Sequence, residues 1–504
     1  ILAGMEASEM DYRLIEGRKE DFLLETIDYF YLDAGVGAMN LVGNGSANKL
    51  LSYFSKINYS FDGKYLLSAT LRYDGSSRFG KDNRFGFFPA VSLGWNMKSE
   101  AFLRDNATIS RLMLRAGTGR IGNQQIGDNA AMALLVPSYG SVSSRRPTGT
   151  AYDITGANSG TLPSGVVRRR TENVNLRWET TEELNLGLDF GFLKDRVFGS
   201  FDYFSRNTSG ILIQPPYLSV MGEGGNRYEN GATMSNKGWE VAIGLSGGQR
   251  DFTYTVSGSL GHFRDKVTYL PQSVVRSYAG NIEKTIIGRP ISSLFGYVTD
   301  GIFQNQTEVD AHATQPGKGV GRIRYRDLNH DGVIDVLDQD WLGEAIPDLE
   351  FGLNSSLSYK RFSLTFFLQG LTGRYELNAN KNQSDLLGAF AGQNNSPRLL
   401  QAWTPQNPNA SIPAVSNFDA NNETRTSDYQ IENTSYLKLR NIQLAYSLPQ
   451  TIQRKLGMSN CQLFISGIDL ITIKSKDFTN PDPEAPNSFY PIPRTIIFGC
   501  NITF

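Results

Sequence analysis

The sequence has 504 residues and a formal net charge of −1, so it lacks the basic excess with which nucleic-acid-binding proteins hold a phosphate backbone. Three histidines and two cysteines argue against a histidine-based metal or acid–base centre and against a disulfide framework. No run approaches the roughly 18 apolar residues of a membrane-spanning helix. This criterion does not detect transmembrane β-strands, because only alternate residues of such a strand face lipid.

The first residues of the chain have the pattern of a strand. The chain begins with Ile1 rather than Met, and residues 1–15 are typical of a strand rather than of a signal peptide. We therefore expect a chain that starts partway through a longer protein.

The first clear hairpin follows between residues 51 and 73. Tyr65, Leu67 and Leu71 lie on the face opposite Ser68, Thr70 and Arg72, and the Asp-Gly-Lys sequence at 62–64 is typical of a tight hairpin turn. The pattern predicts two strands, each with one apolar and one polar face.

The strongest alternation lies in the middle of the chain. Apolar residues occupy every second position from Leu184 through Leu188, with Gly187 and Asp189 on the opposite face, and a charged turn follows at 194–196. Further runs of this kind lie at 87–95, 239–245, 252–260, 351–359, 362–368, 442–446, 463–465 and 496–504. In total we predict about 14 strands.

The connections between these strands alternate between long and short. The short ones lie near 62, 98–107, 194, 247–251, 360 and 449–460, and the long ones are 18–48, 74–86, 121–173, 207–235, 269–348, 374–433 and 473–493. Outer-membrane barrels have short periplasmic turns and long extracellular loops. We therefore predict an all-β fold, a transmembrane antiparallel β-barrel spanning 1–504, with 269–348 as a long extracellular loop.

Aromatic residues lie near the ends of many predicted strands. Examples are Tyr53, Tyr59, Tyr65, Tyr73, Trp95, Tyr203, Trp239, Tyr254, Tyr359 and Tyr446. Such residues form the two interfacial girdles of membrane barrels. The alternative is ordinary aromatic packing in a soluble β-sandwich, which does not account for the alternating connections.

The most specific chemical motif is residues 327–338, inside the longest predicted loop. Oxygen-bearing side chains fall at positions 1, 3, 5, 9 and 12 of this segment, with glycine at position 6, which is the spacing of an EF-hand-type calcium loop. The predicted ligands are Asp327, Asn329, Asp331, Asp335 and Asp338 through their side chains and Val333 through its carbonyl. Position 12 is Asp rather than the usual Glu, so weak Ca²⁺ binding and a metal-free turn held by Asx hydrogen bonds both remain open.

A calcium ion at this motif would have a structural role. The predicted loop 269–348 shows little else in sequence that would order it, so we expect the ion to pin the loop.

No catalytic residues are predicted. His262, His312 and His330 are the only histidines, and none has a nucleophile in a suggestive setting. Carboxylates are frequent in the loops, but nothing selects a glycosidase pair among them.

Five sequence blocks resemble one family of membrane proteins. They are YLLSATLRYDGSSRFG at 65–80, FPAVSLGW at 88–95, GNQ at 122–124, LRWETT at 176–181 and YLKLRNI at 436–442. The blocks follow the order found in the SusC/RagA type of TonB-linked outer-membrane transporters of Bacteroidota.

The resemblance implies a fold, an activity and partners. It implies that the 14 or so strands are the carboxy-terminal part of a plugged, 22-stranded transporter barrel in the bacterial outer membrane. It also implies import of oligosaccharides or oligopeptides, energy from the TonB complex through a plug that this chain lacks, and a SusD-like surface lipoprotein as a lid. Dimers of transporter–lipoprotein pairs and contacts with lipid and lipopolysaccharide are further implied partners. A non-transporting scaffold barrel and a passive porin are the alternative functions.

Overall fold

One long antiparallel sheet dominates the protein. In a computed structural model, the structure describes residues 1–24, 26–138, 165–215, 227–276, 280–281, 283–386, 396–488 and 490–504. Fourteen strands in these residues form the sheet. In chain order they are β1 (Leu2–Lys19), β2 (Met39–Phe61), β3 (Tyr65–Ser76), β4 (Phe85–Asn96), β5 (Ile109–Asn123), β6 (Glu179–Phe192), β7 (Val197–Ile213), β8 (Glu229–Gln249), β9 (Phe252–Tyr269), β10 (Leu349–Tyr359), β11 (Phe362–Thr372), β12 (Tyr436–Ser447), β13 (Asn460–Lys474) and β14 (Thr495–Thr503).

The strands follow one another in space as they do along the chain. Each strand pairs with the strands before and after it in the sequence, except that β1 and β14 have one neighbour each, so the sheet is an uninterrupted meander from β1 to β14. Within the described residues, β1 and β14 are the two edges of the sheet. The prediction of about 14 antiparallel strands is confirmed.

The two ends of the sheet differ in their connections. At one end, which we call the turn end, tight turns such as 62–64 and 360–361 join the strands. At the other, the loop end, connections as long as 270–348 emerge. The predicted strict alternation of lengths is wrong at one place: 77–84 at the loop end is shorter than 97–108 at the turn end, which contains the helix Ala101–Arg104. Parts of the predicted loops 121–173, 207–235, 269–348 and 374–433 lie outside the described residues.

One face of the sheet, the apolar face, exposes hydrophobic side chains. Leu184 and Leu186 are 42% and 45% exposed, and Leu188 lies directly opposite Leu114 on one side and Phe201 on the other. Other exposed side chains on this face are Tyr59, Leu71, Leu93, Ile243, Leu245, Leu444, Ile465 and Phe498. An apolar area this large is not stable in water, so the apolar face is a membrane-contacting surface.

The opposite face, the polar face, carries paired charges. The Arg115 guanidinium donates hydrogen bonds to Asp189 at 2.9 Å and to Asp202 at 3.1 Å. Gly187 lies between these groups, where a Cβ would come within 2.7 Å of both Arg115 and Asp202. The two-residue period of the strands therefore places ionic side chains on one face of the sheet and apolar side chains on the other.

Short strands and helices lie in the connections at both ends of the sheet. Two-stranded pairs are formed by Leu134–Ser138 with Gly165–Arg170, Ser293–Tyr297 with Gln339–Glu344, Thr299–Ile302 with Ile323–Tyr325, and Tyr375–Leu377 with Ile431–Asn433. The α-helices are Ala101–Arg104, Gln272–Arg276, Gln306–Ala311, Lys381–Ser384 and Gln450–Lys455, and the 3-10 helices are Ile27–Tyr29, Lys81–Asn83, Met97–Ser99, Val336–Asp338 and Pro397–Gln401. Among the described residues, no helix is long and apolar enough to cross a membrane.

Candidate functional site: the loop assembly

The predicted calcium motif forms a compact turn at the loop end. Asp327 accepts hydrogen bonds from the backbone N–H groups of His330 at 2.7 Å and Gly332 at 2.9 Å, and Asp331 accepts one from Val333 at 2.8 Å. Gly332 has a φ of +83°, a conformation that favours glycine. The first half of the motif thus has the sharp turn that a calcium loop and an Asx turn share.

The second half of the motif is organised by Asp338. This side chain is fully buried and accepts hydrogen bonds from the N–H groups of Leu328 at 2.8 Å and Asp335 at 2.9 Å, so it joins both ends of the motif. Asn329 Nδ2 donates to Asp331 at 2.9 Å. Within the part of the chain that the structure describes, no three His, Cys, Asp or Glu side chains are grouped closely enough to hold a metal ion. The donor types suit Ca²⁺, and calcium binding stays a prediction.

The loop that carries this motif packs against the next long loop. Ile323, Tyr325 and Ile334 form a small buried core. Tyr297, Ala313 and Tyr429 pack around it, and Tyr429 comes from the neighbouring loop. We call the described residues of 270–348, 373–435 and 475–494 the loop assembly.

Buried polar contacts join the two loops. Glu423 accepts hydrogen bonds from the Ile323 N–H at 2.8 Å and from the Arg322 guanidinium at 2.9 Å. Burial raises the pKa of Glu423 above its ordinary value, because the Arg322 charge offsets only part of the cost of removing the carboxylate from water. The neighbouring loop therefore orders this loop through contacts that the sequence pattern did not show, and the expectation that an ion also pins it stays a prediction.

A second buried ion pair lies within the loop 373–435. Burial alone would raise the pKa of Asp385, but two hydrogen bonds and the charge of Arg398 lower it below its ordinary value. The Tyr429 hydroxyl also donates to this carboxylate, at 2.8 Å. The loop assembly therefore has charged groups with fixed partners, which a loosely ordered loop would lack.

The last long connection folds against the polar face of the sheet. We call residues 475–488 the strap. Lys438 on β12 is fully buried, and its ammonium donates to both oxygens of Asp482 at 2.7 Å and to Glu484 at 2.5 Å. The Tyr436 hydroxyl donates to Glu484 at 2.7 Å, and Arg440 forms an ion pair with the same carboxylate. A cationic row on the sheet thus holds two carboxylates of the strap.

The geometry of β12 explains why these side chains converge. Residues 436, 438 and 440 lie on one face by the period-two rule. The pairing register with both neighbouring strands then shifts next to Arg440, which is typical of a β-bulge. The block YLKLRNI at 436–442, which contains these residues, was recognised in the sequence only by its resemblance to the family. Two cations at alternate positions in an apolar strand were the signal that should have marked it as an anion-binding row.

The strap also contacts the loop 373–435. Glu432 accepts a hydrogen bond from the Thr479 N–H at 3.1 Å, and Asn378 Nδ2 donates to the Thr479 hydroxyl at 3.0 Å. Arg374 donates to the carbonyl of Pro483 at 2.6 Å. The strap therefore connects the polar face of the sheet to the loop 373–435.

Three of the resembling sequence blocks, together with the residues that follow the GNQ block, meet in a second buried cluster at the loop end. Its members are Phe79, Phe88, Ile126, Ala130, Leu176 and Trp178. The ring centroid of Trp178 lies 4.9 Å from that of Phe79 and 5.2 Å from that of Phe88. Gly80 has no room for a side chain, because a Cβ there would lie 1.8 Å from the Val174 carbonyl oxygen. Residues from these blocks therefore build one packed core.

At the turn end, one carboxylate holds two aromatic residues. Glu100 accepts hydrogen bonds from the Tyr65 hydroxyl at 2.6 Å and from Trp95 Nε1 at 3.1 Å. Aromatic rings with an apolar body and a hydrogen-bonded polar tip suit a membrane–water interface. These two residues belong to the predicted girdle.

A meander with one membrane-contacting face, one ionic face and long packed loops at one end defines the wall of an outer-membrane β-barrel. The family model described as "TonB dependent receptor-like, beta-barrel" matches residues 6–293. The chain therefore belongs to the TonB-dependent receptor β-barrel family, and it is an outer-membrane protein.

Named relatives agree with this assignment. The chain is 30% identical over 509 residues to TonB-dependent receptor P3 of Formosa agariphila, covering 96% of this chain and 48% of the relative. It is 30% identical over 475 residues to TonB-dependent receptor SusC of Bacteroides thetaiotaomicron, covering 91% of this chain and 44% of the relative. The chain thus spans about half the length of the curated relatives it matches.

A solved structure supports the fold. The "Structure of the RagAB peptide transporter" matches with a TM-score of 0.79 at 22% identity, covering 100% of this chain and 53% of the other. The recognition of the family and of the barrel fold is confirmed.

Proposed function

We propose that this chain is the carboxy-terminal part of the barrel of an active outer-membrane transporter rather than of an enzyme. The barrel imports nutrient oligomers, either oligosaccharides or oligopeptides, with energy from TonB. The observation that carries the proposal is family membership, since relatives named SusC and TonB-dependent receptor match almost the whole chain. The ionic polar face, with Arg115 between Asp189 and Asp202, supports it, because a transport lumen is polar.

Uptake by whole cells tests this proposal. We expect cells with the full-length receptor to accumulate one class of labelled oligomer, glycan or peptide, and to lose that uptake when TonB is deleted. Uptake that persists without TonB would favour the passive porin. A protein that co-purifies with assembly factors and shows no ligand-dependent phenotype would favour the scaffold.

A SusD-like lipoprotein is the proposed lid over the loop end. Exposed apolar side chains on the loop assembly support this partner, since Leu400 is 91% and Phe418 78% exposed. We expect Leu400→Asp with Phe418→Asp to abolish co-purification of the lipoprotein from native membranes. The matched control changes Phe102 and Leu456 to Asp at the turn end, where both are exposed. Equal recovery of the lipoprotein with both variants would contradict a lid at this position.

We propose that the loop end, including 269–348, is extracellular. A single cysteine in place of Phe418 should react with a membrane-impermeant maleimide on intact cells, whereas a cysteine in place of Lys194, in a tight turn at the other end, should react only after lysis. Labelling of the Lys194 position on intact cells would reverse the orientation.

Residues 327–338 are the proposed calcium site. We expect millimolar Ca²⁺ to protect this segment from proteolysis, because the ion would neutralise Asp327 and Asp331 and fix the turn. The effect is local, since Glu423 and its partners already hold the rest of the loop. Asp327→Ala with Asp331→Ala should remove the protection, and Asp28→Ala with Asp33→Ala, two exposed carboxylates elsewhere, should not. If the segment is protected equally with and without calcium, the motif is a metal-free Asx turn and the proposed calcium site is wrong.

A further inference from the structure

A cavity of about 820 Å³ lies on the polar face beside the strap, and its lining includes Arg374 and Tyr436. Both of these side chains also hold the strap. Arg374 donates a hydrogen bond to the Pro483 carbonyl at 2.6 Å, and the Tyr436 hydroxyl donates one to Glu484 at 2.7 Å. The cavity and the strap therefore share part of one surface, and a molecule in the cavity would meet the strap at Glu484.

Three side-chain donors converge on the Glu484 carboxylate. The Arg440 guanidinium donates to the same oxygen as the Tyr436 hydroxyl, and the Lys438 ammonium donates to the other oxygen at 2.5 Å. Burial alone would raise the pKa of Glu484, but the hydrogen bonds from these three donors lower it below its ordinary value. We call Tyr436, Lys438 and Arg440 the carboxylate site, because together they bind an ionised carboxylate that the chain itself supplies.

The two cations of the carboxylate site have other partners besides Glu484. Lys438 donates to both oxygens of Asp482 at 2.7 Å, and Arg440 donates to Asp469 at 3.2 Å. Neither cation would be left buried and unpaired if Glu484 moved away, which is the costly case. The side chain of Asp482 is 9% exposed and that of Glu484 is 22% exposed. Asp482 is thus the fixed anchor, and Glu484 is the carboxylate that another can replace.

The strap is free to move at its Glu484 end. Among the described hydrogen bonds, the backbone N–H groups of residues 484–488 donate only to acceptors within the strap. The other end is attached to the neighbouring loop, because the Thr479 N–H donates to Glu432 at 3.1 Å. The Glu484 end can therefore swing away from the sheet without breaking a backbone hydrogen bond to another segment.

The far wall of the cavity repels anions. Glu240 and Glu350 line it, and among the described residues neither carboxylate has a hydrogen-bond or ion-pair partner. Glu350 lies opposite Leu371 and Leu371 opposite Tyr436, so Glu350 is two strands, or about 10 Å, from the carboxylate site. Arg374 is the one cation in the lining that the structure describes. An anionic group in the cavity is therefore most stable at the strap.

We propose that the carboxylate site receives a carboxylate of the transported oligomer, and that Glu484 occupies the site when no such cargo is bound. The strap is then a gate that opens in response to the charge of the cargo. An incoming carboxylate takes over the three hydrogen bonds that Glu484 gives up, so the exchange leaves no buried donor unpaired. Uronic acid units of glycans and acidic residues of peptides share this chemistry. The proposal rests on the proposed function in one respect, that the polar face lines the path of the cargo.

Binding of acidic and neutral oligomers to the full-length receptor in detergent tests the proposal. The probes are tetraglutamate with its neutral counterpart tetraglutamine, and tetragalacturonate with its neutral counterpart galactotetraose. We expect at least one acidic probe to bind about tenfold or more tightly than its counterpart, because charge-assisted hydrogen bonds contribute more than this ratio requires. The pair that shows the preference identifies the source of the carboxylate as a peptide or a glycan.

Glu484→Gln locates the site. This variant removes the competing charge at nearly constant volume, so the acidic probe should bind about tenfold more tightly than it binds the wild type, while the affinity of its neutral counterpart should not change. Asp477→Asn is the matched control, because it removes the same charge from an exposed strap residue without a partner among the described residues. It should leave both affinities unchanged to within about twofold, since an exposed charge is screened.

A second substitution tests whether cargo uses the same donors as Glu484. In the Glu484→Gln background the competing carboxylate is gone, so the Tyr436 hydroxyl is available to the acidic probe. Tyr436→Phe in that background should therefore reverse part of the gained affinity, by several-fold.

Hydrogen exchange in the wild type tests the movement of the strap. The acidic probe should speed exchange of the amides at 484–488 and leave the Thr479 amide unchanged, because Glu432 still holds it.

The contrary outcomes are distinct. Equal affinity of the wild type for the acidic and neutral probes would overturn the proposal. An affinity that Glu484→Gln leaves unchanged, or raises no more than Asp477→Asn does, would mean that the acidic probe binds elsewhere and would also overturn it. The assay needs neither TonB nor uptake, so its failure leaves the proposed transport untouched, and a failure of transport does not affect the binding result.

Discussion

Replacing Leu188 by arginine is expected to destabilise the barrel by about 2–4 kcal/mol, the cost of a cation on the lipid face near the bilayer midplane. Leu188 lies near the centre of β6 and in register with Leu114 and Phe201, so the new charge would have only apolar neighbours across the sheet. The measurement is the free energy of unfolding of the full-length receptor in lipid, from a denaturant titration.

The matched control puts the same charge on the polar face. A Cβ at Gly261 would meet only the Glu240 side chain, at 3.9 Å, and Glu350 lies opposite Gly261 in the next strand. Gly261→Arg should therefore cost much less than Leu188→Arg. Gly187, the control that its place in the sequence pattern suggests, is unsuitable, because Arg115 and Asp202 already fill the space beside it. Equal costs at positions 188 and 261 would contradict the assignment of the faces.

Removing the Lys438 ammonium should destabilise the protein by about 3–5 kcal/mol, because it leaves the buried Asp482 carboxylate without its ionic partner and takes one of three donors from Glu484. Lys438→Met keeps most of the side-chain volume, so the lost charge rather than a cavity dominates the effect. We also expect the strap to detach from the polar face, which limited proteolysis between residues 475 and 488 would detect.

A double-mutant cycle separates this ion pair from general damage to β12. In a background with Asp482→Asn and Glu484→Gln, the carboxylates no longer need the ammonium, and Lys438→Met should cost far less than in the wild type. If Lys438→Met costs the same in both backgrounds, the strap is not held by these charges.

The strands could be predicted because their signal is local. Apolar residues alternate along β6 from Leu184 to Phe192 because one face of the strand contacts lipid. This alternation does not depend on residues that are distant in the sequence. The tight turns at 62–64 and 360–361 have equally local signals. The single error in connection lengths arose because β3 continues to Ser76 and β4 begins at Phe85, so the loop predicted at 74–86 is only 77–84 and is shorter than the connection 97–108.

The loop assembly and the strap could not be predicted in the same way. Arg322 and Glu423 are 101 residues apart, and Lys438 and Glu484 are 46 apart. Each pair joins polar residues that are distant in sequence, and Glu423 and Glu484 lie in irregular segments, where neither period nor spacing predicts a partner. The calcium motif differs from these contacts, because its spacing can be recognised in the sequence. Whether its oxygen donors bind an ion stays a prediction.

Several residues of the sequence blocks that resemble the family make contacts that only the structure shows. Phe79, Phe88, Leu176 and Trp178 were recognised as blocks without a stated role, and the structure joins them in one buried cluster. Lys438 and Arg440 were recognised in the same way and prove to bind the strap. The resemblance thus identified positions whose chemical role appears only in three dimensions.

An experimental density map of the complex extracted gently from native outer membranes tests the central claim most directly. The account predicts a closed barrel in which β1 and β14 each pair with a further strand, a plug inside it, the strap against Lys438, and a lipoprotein over the loop assembly. A barrel whose lumen is open, with neither plug nor lipoprotein and with the apolar face turned away from the detergent belt, would contradict it.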